Sequence, residues 1–406
     1  MKSRLFFMAL AGVALASCVN DELADVSMKE QSKALVRFDA PVTYANASSR
    51  ADGDGASTST TSTGTTVFGE IGSHTYVDTP EAKNYSPFPG TYTYPQEQNF
   101  MVGARVYTGD GFNWDTADKF WTTSANGTTT PVDFLEVSWQ GKAEIPVNGW
   151  KTTNDFYWPA SGQLAFVAYS PAKLSTSGKT TMNYGNAGWT INNFAVNNDY
   201  EKQIDVLYSE MVTASGNTVS GDGKYHGVQI QFRHALSAVH FVVIKPAAVT
   251  ADVELKKIVI KNVFPQGSAA MNSSGVLEWT PTTGVPADDY APFDKTNPSE
   301  YLQFTPGGSH IGNNGGYPLL LMPQSLANVK LDVYYTVDGK DKEATNLTLS
   351  GLDGYDDGNV MNKVTAWEPG KKYIYVLKYA GSARDVIYFG PSTINWVDID
   401  VEIPLS

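Results

Sequence analysis

Cys18 is the single cysteine among 406 residues, and it directly follows Leu15-Ala16-Ser17. Lys2 and Arg4 precede an apolar run over residues 5–13, and Ala16 and Ser17 are the small residues a signal peptidase needs before its cut. A second chemically vulnerable point is a peptide bond. Arg50 is the one basic residue of a stretch, 45–66, built otherwise of Ser, Thr, Gly, Asp, Asn and Ala. Such a stretch buries too little surface to order itself, so an exposed, protease-accessible loop is expected there.

The remaining candidates for chemistry are weaker. His74, His226, His234, His240 and His310 show neither a helical metal spacing nor a carboxylate motif beside them. His234 and His240 fall in a strand pattern and are expected in a core or an interface. Asp52-Gly53-Asp54-Gly55 and Asp353-Gly354-Tyr355-Asp356-Asp357-Gly358 offer carboxylates of the kind calcium prefers, but they lack the spacing of a calcium loop and are expected as turns. There is no phosphate-cradling Gly-Lys-Ser/Thr loop, no Gly-x-Ser-x-Gly elbow and no dinucleotide fingerprint. No catalytic residue, metal or cofactor is expected, and the chain does not read as an enzyme.

The residues that end at Cys18 resemble a bacterial lipobox. The resemblance implies that residues 1–17 are a signal peptide and that the Cys18 thiol receives a diacylglycerol. The apolar run is far shorter than the roughly 20 residues that span a bilayer, so anchoring is expected, not spanning. One acyl chain holds a protein only marginally, and the two or three chains of such a lipoprotein, palmitate among them, make attachment lasting. Val19-Asn20-Asp21-Glu22 also resemble the surface-export signal of Bacteroidetes lipoproteins. The expected location is the outer membrane, surface-exposed, with its lipid as a partner through acylated Cys18.

A net charge of −13 argues against nucleic acid as a partner, since that surface demands basic patches. With the one thiol used by lipid, stability must come from apolar burial, and the roughly 385 mature residues suffice for two ordinary cores. Thirty-six glycines, 21 prolines and 22 tyrosines between short apolar runs favour strands and turns over helices.

Residues 18–33 are polar and aperiodic, as in a tether. Residues 34–42 read as a first strand. Further strands are expected at 100–107, 131–139, 164–169 and 203–208, and a long one at 228–244 bent near Ala235-Leu236-Ser237. Pro246 is the candidate boundary, giving an N-terminal domain over 34–246 and a C-terminal domain over 247–406. The second half repeats the style at 255–263, 317–322, 329–337, 372–379 and 386–389. No segment sustains helical periodicity, so two β-sandwiches in tandem, mostly antiparallel, are expected with one or two short helices in loops.

The runs Phe166-Val167-Ala168-Tyr169-Ser170-Pro171, Asp205-Val206-Leu207-Tyr208, Phe232-Arg233-His234-Ala235-Leu236-Ser237-Ala238-Val239, Leu320-Leu321-Met322-Pro323-Gln324 and Trp367-Glu368-Pro369-Gly370-Lys371-Lys372-Tyr373 resemble, in order and spacing, the fimbrillins of Bacteroidetes, specifically the Mfa-like fimbrillin-like group. The resemblance implies an all-β fold of two transthyretin-like sandwiches and a structural subunit of a type V pilus that supports cell adhesion. It implies that an arginine- or lysine-specific protease removes the first strand, and that a strand from another fimbrial subunit fills the groove by β-augmentation.

Mapped onto this chain, the expected processing site is Arg50, because Arg37 sits inside an apolar run where pairing would shield it. The donor candidate is the C-terminal alternation of Val397, Ile399, Val401, Ile403 and Leu405. Burying each is worth about 1.5–3 kcal/mol, which for the set rivals the stability of a domain. The same segment is equally an ordinary last strand. The rival function is a surface glycan-binding lipoprotein that does not polymerise, with Trp114, Trp121, Trp150 and Trp158 near turns as its stacking candidates.

Overall fold

The computed structural model describes residues 36, 38, 42–43, 65–66, 75–76, 99–142, 148–174, 179–198, 203–216, 218–219, 225–226, 228, 230–311, 319–352, 355–356, 359–360, 363–379, 381 and 400–405. These residues form β-sheets almost throughout, with one 3-10 turn, Pro298–Glu300, as the helical piece among them. The fold class is all-β, as the composition implies.

An eight-stranded sheet is ordered Val42–Thr43, Gln231–His234, Leu207–Ser209, Gln163–Ser170, Phe100–Tyr107, Phe134–Lys142, Asn148–Thr152, with Val212–Ala214 also on strand 163–170. Its pairings are antiparallel except the first, where Val42 and Thr43 run parallel to Gln231 and Phe232. Strand 163–170 explains why the sheet is covered on both sides. Leu164, Phe166 and Ala168 enter one apolar cluster with Phe38, Phe100 and Trp121, while Ala165 and Val167 enter the other with Trp189. A continuous apolar run is what a strand buried on both faces requires.

On the Trp189 face lies a four-stranded antiparallel sheet, Thr181–Gly185, Gly188–Ala195, Gln266–Met271, Leu277–Pro281, which takes strands from both sides of Pro246. Trp189 fastens it to the larger sheet: its ring lies 6.0 Å from Phe134 and 6.1 Å from Tyr169, and its Nε1–H donates to Ser209 O at 2.6 Å.

The second half builds two more sheets. In one, Ser237–Ile244, Lys372–Tyr379 and Asp400–Leu405 lie side by side, all parallel. In the other, Val253–Val263 pairs with Asp288–Asp294 and Lys330–Val337, and the last with Lys340–Thr348. Val329, Leu331, Val333 and Tyr335 are all buried, as the alternation predicts. Strand 253–263 changes phase: Val253 and Leu255 point inward, then Ile258 and Ile260. A register shift between Leu255 and Lys257 supplies the extra residue that keeps the apolar set inside. The outward Lys256, Lys257 and Lys261 meet Asp341, Asp294 and Asp332.

The expected bent strand at 228–244 is a correction to the sequence reading. Residues 231–234 and 237–244 are separate strands in two different sheets, and the chain crosses between them at Ala235 and Leu236. The crossing is tied down by backbone bonds, Ala235 N–H to Val206 O and Gly370 N–H to Leu236 O, both 2.8 Å, and by Trp279 Nε1–H to Ala235 O at 2.8 Å. The expected strand at 386–389 lies outside the described residues.

Candidate functional site: the groove under the first strand

Alternation places Val36 and Phe38 on one face of their segment, and both are buried, Phe38 completely. Val36 N–H donates to Phe156 O at 2.7 Å, Phe38 forms a parallel bridge with Val228, and the pairing resumes at Val42 and Thr43. The segment is therefore the outermost strand of its sheet, held by strand 231–234 on one side, with no strand beyond it among the described residues.

Phe38 fills an aromatic box. Its ring meets Phe100 edge-on at 6.1 Å and Phe166 edge-on at 5.7 Å, and Phe100 in turn meets Phe232 at 5.7 Å. Trp158 and Trp121 close the far side, 5.9 and 6.3 Å from Phe166. Val228 and Ile230 line the floor, both buried. Edge-to-face contacts of this kind each contribute about 0.5–1.5 kcal/mol beyond the area buried. If the first strand left, this box and one row of backbone donors and acceptors on strand 231–234 would be opened to water together, the condition that favours capture of another strand.

Of two arginines in strands of this sheet, one is buried and the other is held in a paired strand with its side chain partly exposed. Arg105 is 5% exposed, with Nη2 donating to Asp133 Oδ1 at 2.5 Å, Nε to Trp114 O at 3.3 Å, and its guanidinium 4.8 Å above the Trp114 ring. Burial raises the Asp133 carboxyl, but hydrogen bonds and charge from Lys119 and Arg105 outweigh it and hold the group below the usual carboxylate range. Arg233 lies in strand 231–234, which is paired on both sides, and bonds Glu210 at 2.5 Å.

Of the sequence-predicted site residues, Cys18, Arg50, Val397 and Ile399 lie outside the described residues, as do the 52–55 acidic cluster and most of 353–358. Val401, Ile403 and Leu405 fall in strand 400–405, which runs parallel along 372–379 with Val401 opposite Tyr375 and Leu405 opposite Tyr379. Trp114, Trp121 and Trp158 are all buried, so these three candidates for sugar stacking are packing residues, and the side chain of Trp150 is outside the described set. His240 is buried, as expected. His234 is buried too, its Nδ1 2.8 Å from Asp205 Oδ2. No group of three or more metal-ligating side chains occurs among the described residues. The sequence reading missed the aromatic box, whose members Phe38, Phe100, Phe166 and Phe232 come from four separate strand segments, and it missed the Arg105 clip.

The family model described as fimbrillin-like matches residues 104–396, well over half of the chain. None of the curated proteins matches. Among solved structures, the chain is similar to a fimbrial protein from Bacteroides vulgatus ATCC 8482, at 16% identity over 75% of this chain and 92% of that one, with a TM-score of 0.46. It is also similar to a proposed cell adhesion protein from Bacteroides uniformis ATCC 8492, at 15% identity over 74% and 88% of the two chains, with a TM-score of 0.37.

Proposed function

Because this chain belongs to the fimbrillin-like family, we propose that it is a structural subunit of a cell-surface fimbria that supports adhesion, exported as a lipoprotein through Cys18 and assembled by strand exchange after cleavage at Arg50. Its partners are other fimbrial subunits, the outer-membrane lipid until processing, and an arginine- or lysine-specific protease. In this reading the sheet that carries the first strand accepts a strand and the C-terminal segment donates one, on a transthyretin-like plan.

The observation that carries the proposal is the place of Phe38: fully buried, yet on the outermost strand of its sheet. A strand at an edge can leave without unthreading the sheet, and one that fills an aromatic box leaves an apolar groove behind. Burying a Phe side chain is worth about 1.5–3 kcal/mol, so the vacated box strongly favours a replacement. The burial of Arg105 and the strand pairing of Arg233 support Arg50 as the cut site, because proteases need an accessible, unpaired backbone.

Mass spectrometry of the surface form tests this reading. Ala51 is the expected N-terminus of fibre subunits; lipidated Cys18 on most of them would overturn it.

A further inference from the structure

Asn346 stands on a bulge. Strands 330–337 and 340–348 pair Leu331 with Leu347 and Val333 with Ala344, so two residues of the outer strand oppose Asp332 alone. Asn346 is one of the two, with a φ of 57°, in the left-handed region that Asn tolerates better than most side chains. Its N–H donates to Asp332 Oδ1 at 2.7 Å. A bulge can re-aim a side chain, and this one brings a carboxamide to a lysine two strands away. Lys261 Nζ donates to Asn346 Oδ1 at 3.2 Å and to Asp332 Oδ2 at 3.0 Å. Asp332 is buried, with one oxygen turned to each neighbour. An ordinary ion pair accounts for Lys261 and Asp332, but not for the carboxamide brought to the same nitrogen.

We infer that Lys261 and Asn346 join in an intramolecular amide bond, with Asp332 relaying the protons. The inference is independent of strand exchange. The flexible four-carbon stem of Lys261 lets Nζ move from the amide oxygen onto the carbon. There the Nζ–Cγ bond forms and the Cγ–Nδ2 bond of Asn346 breaks. Two protons leave the lysine ammonium and both end on the departing nitrogen, which goes as ammonium. Asp332 carries them across and finishes as a carboxylate. Holding amine and carbonyl together makes the step unimolecular, and effective molarities of about 10⁵–10⁸ M for well-oriented groups offset the poor leaving group.

Charge sets the pace. Hydrogen bonding to Asp332 raises the lysine above its ordinary value; desolvation opposes this, and the charges of Asp332, Asp289 and Tyr334 add to the rise. Lys330, opposite Lys261 in the pairing, is a like charge. The amine is therefore mostly protonated near neutrality, and joining is slow there. Loss of ammonia into dilute solution is not reversed, so a slow step still goes to completion. The bond ties strand 253–263 to strand 340–348, the last of its sheet among the described residues, across the strand between them. With one cysteine the chain has no internal disulfide. A link between residues 85 apart restricts the unfolded chain in the same way.

Intact-mass and peptide mass spectrometry of the folded mature chain, carrying Cys18→Ser and incubated at neutral and mildly alkaline pH, test the bond. The parent is expected to become lighter by one ammonia, with a digest fragment in which residues 261 and 346 are joined. Its rate should rise about tenfold per pH unit, as the neutral share of an amine does below its pKa. Lys261→Arg keeps a cation facing Asp332 but offers no free amine, and should hold its full mass. Asp332→Asn should join about a hundredfold more slowly, the lower range for a positioned acid–base group. A parent that holds its full mass at both pH values, or in which Asn346 is only hydrolysed to Asp, overturns the bond. Loss of ammonia from Lys261→Arg at the parent rate places it elsewhere and overturns the bond as well. An Asp332→Asn chain that joins as fast as the parent overturns the relay.

Discussion

Phe38 and Val228 face one another across a parallel pairing in a sheet whose other pairings among the described residues are antiparallel, and the Phe38 ring is sealed between Phe100 and Phe166. Parallel pairs are slightly weaker per residue than antiparallel ones, so the backbone alone holds this strand lightly. The side chain supplies the retention. A strand joined by few backbone bonds and one large anchor is well suited to be held firmly until cut and then released as a unit.

Phe38→Ala should therefore loosen the uncut chain more than its place on an edge strand suggests. Truncating a buried Phe costs about 3–5 kcal/mol when the site cannot collapse, and the rigid rings around Phe38 resist collapse. Urea unfolding should show a lower midpoint for the transition that includes this sheet. A change under about 1 kcal/mol would mean that Phe38 is not the anchor.

Removal of residues 396–406 separates donation from folding. Strand 372–379 keeps its pairing with 237–244 along seven residues, and the buried Tyr373, Tyr375 and Leu377 stay in place, so the shortened monomer should fold with reduced stability. It should also fail to form fibres after cleavage. Sedimentation and electron microscopy check both, and fibres from the shortened chain would remove the C-terminal strand from the joint.

Much of this architecture could be read from residue patterns. Strand 100–107 appears at the expected bounds and 330–337 within one residue of them, because each carries an unambiguous apolar run or alternation. The break at Ala235-Leu236 was visible only as a small-residue step. Which sheets the flanking strands join depends on long-range partners such as Val206, Trp279 and Gly370, and no local pattern encodes those. The tryptophans misled for a related reason: Trp114, Trp121 and Trp158 sit near turns in sequence, yet those turns fold back over a sheet face. Arg105 was legible only as a charge in an apolar run, with Asp133 and Lys119 too distant to connect to it.

Arg105→Met tests whether that buried cation is structural. The substitution keeps a flexible apolar stem but removes the bonds to Asp133 and Trp114 O and the contact with the Trp114 ring. Asp133 is half-exposed and keeps Lys119 at 2.7 Å, so it is not stranded as a buried lone charge. The expected loss is about 1.5–3 kcal/mol, the range for hydrogen bonds to a charged group, together with a changed near-ultraviolet circular dichroism signal from Trp114. A variant as stable as the parent would reduce Arg105 to packing.

Stability should fall with mild acid through His234. Burial pushes this imidazole below its ordinary value of 6.5, and although the Asp205 carboxylate facing it pulls the other way, burial prevails. The neutral ring donates Nδ1–H to Asp205, 2.8 Å from Oδ2, beside the crossing at Ala235. The unfolded chain binds a proton on this residue near pH 6.5 while the folded chain does not, so the unfolded state gains protons first as pH falls. The contribution of His234 is thus complete above its unfolded value and is lost as pH drops toward the folded one. Melting temperatures taken between about pH 7.5 and 5.5 should decline in the parent. His234→Gln should melt lower at the upper end, since Asp205 loses its partner, yet show a flatter profile over the same interval. Parallel profiles would place the acid sensitivity elsewhere.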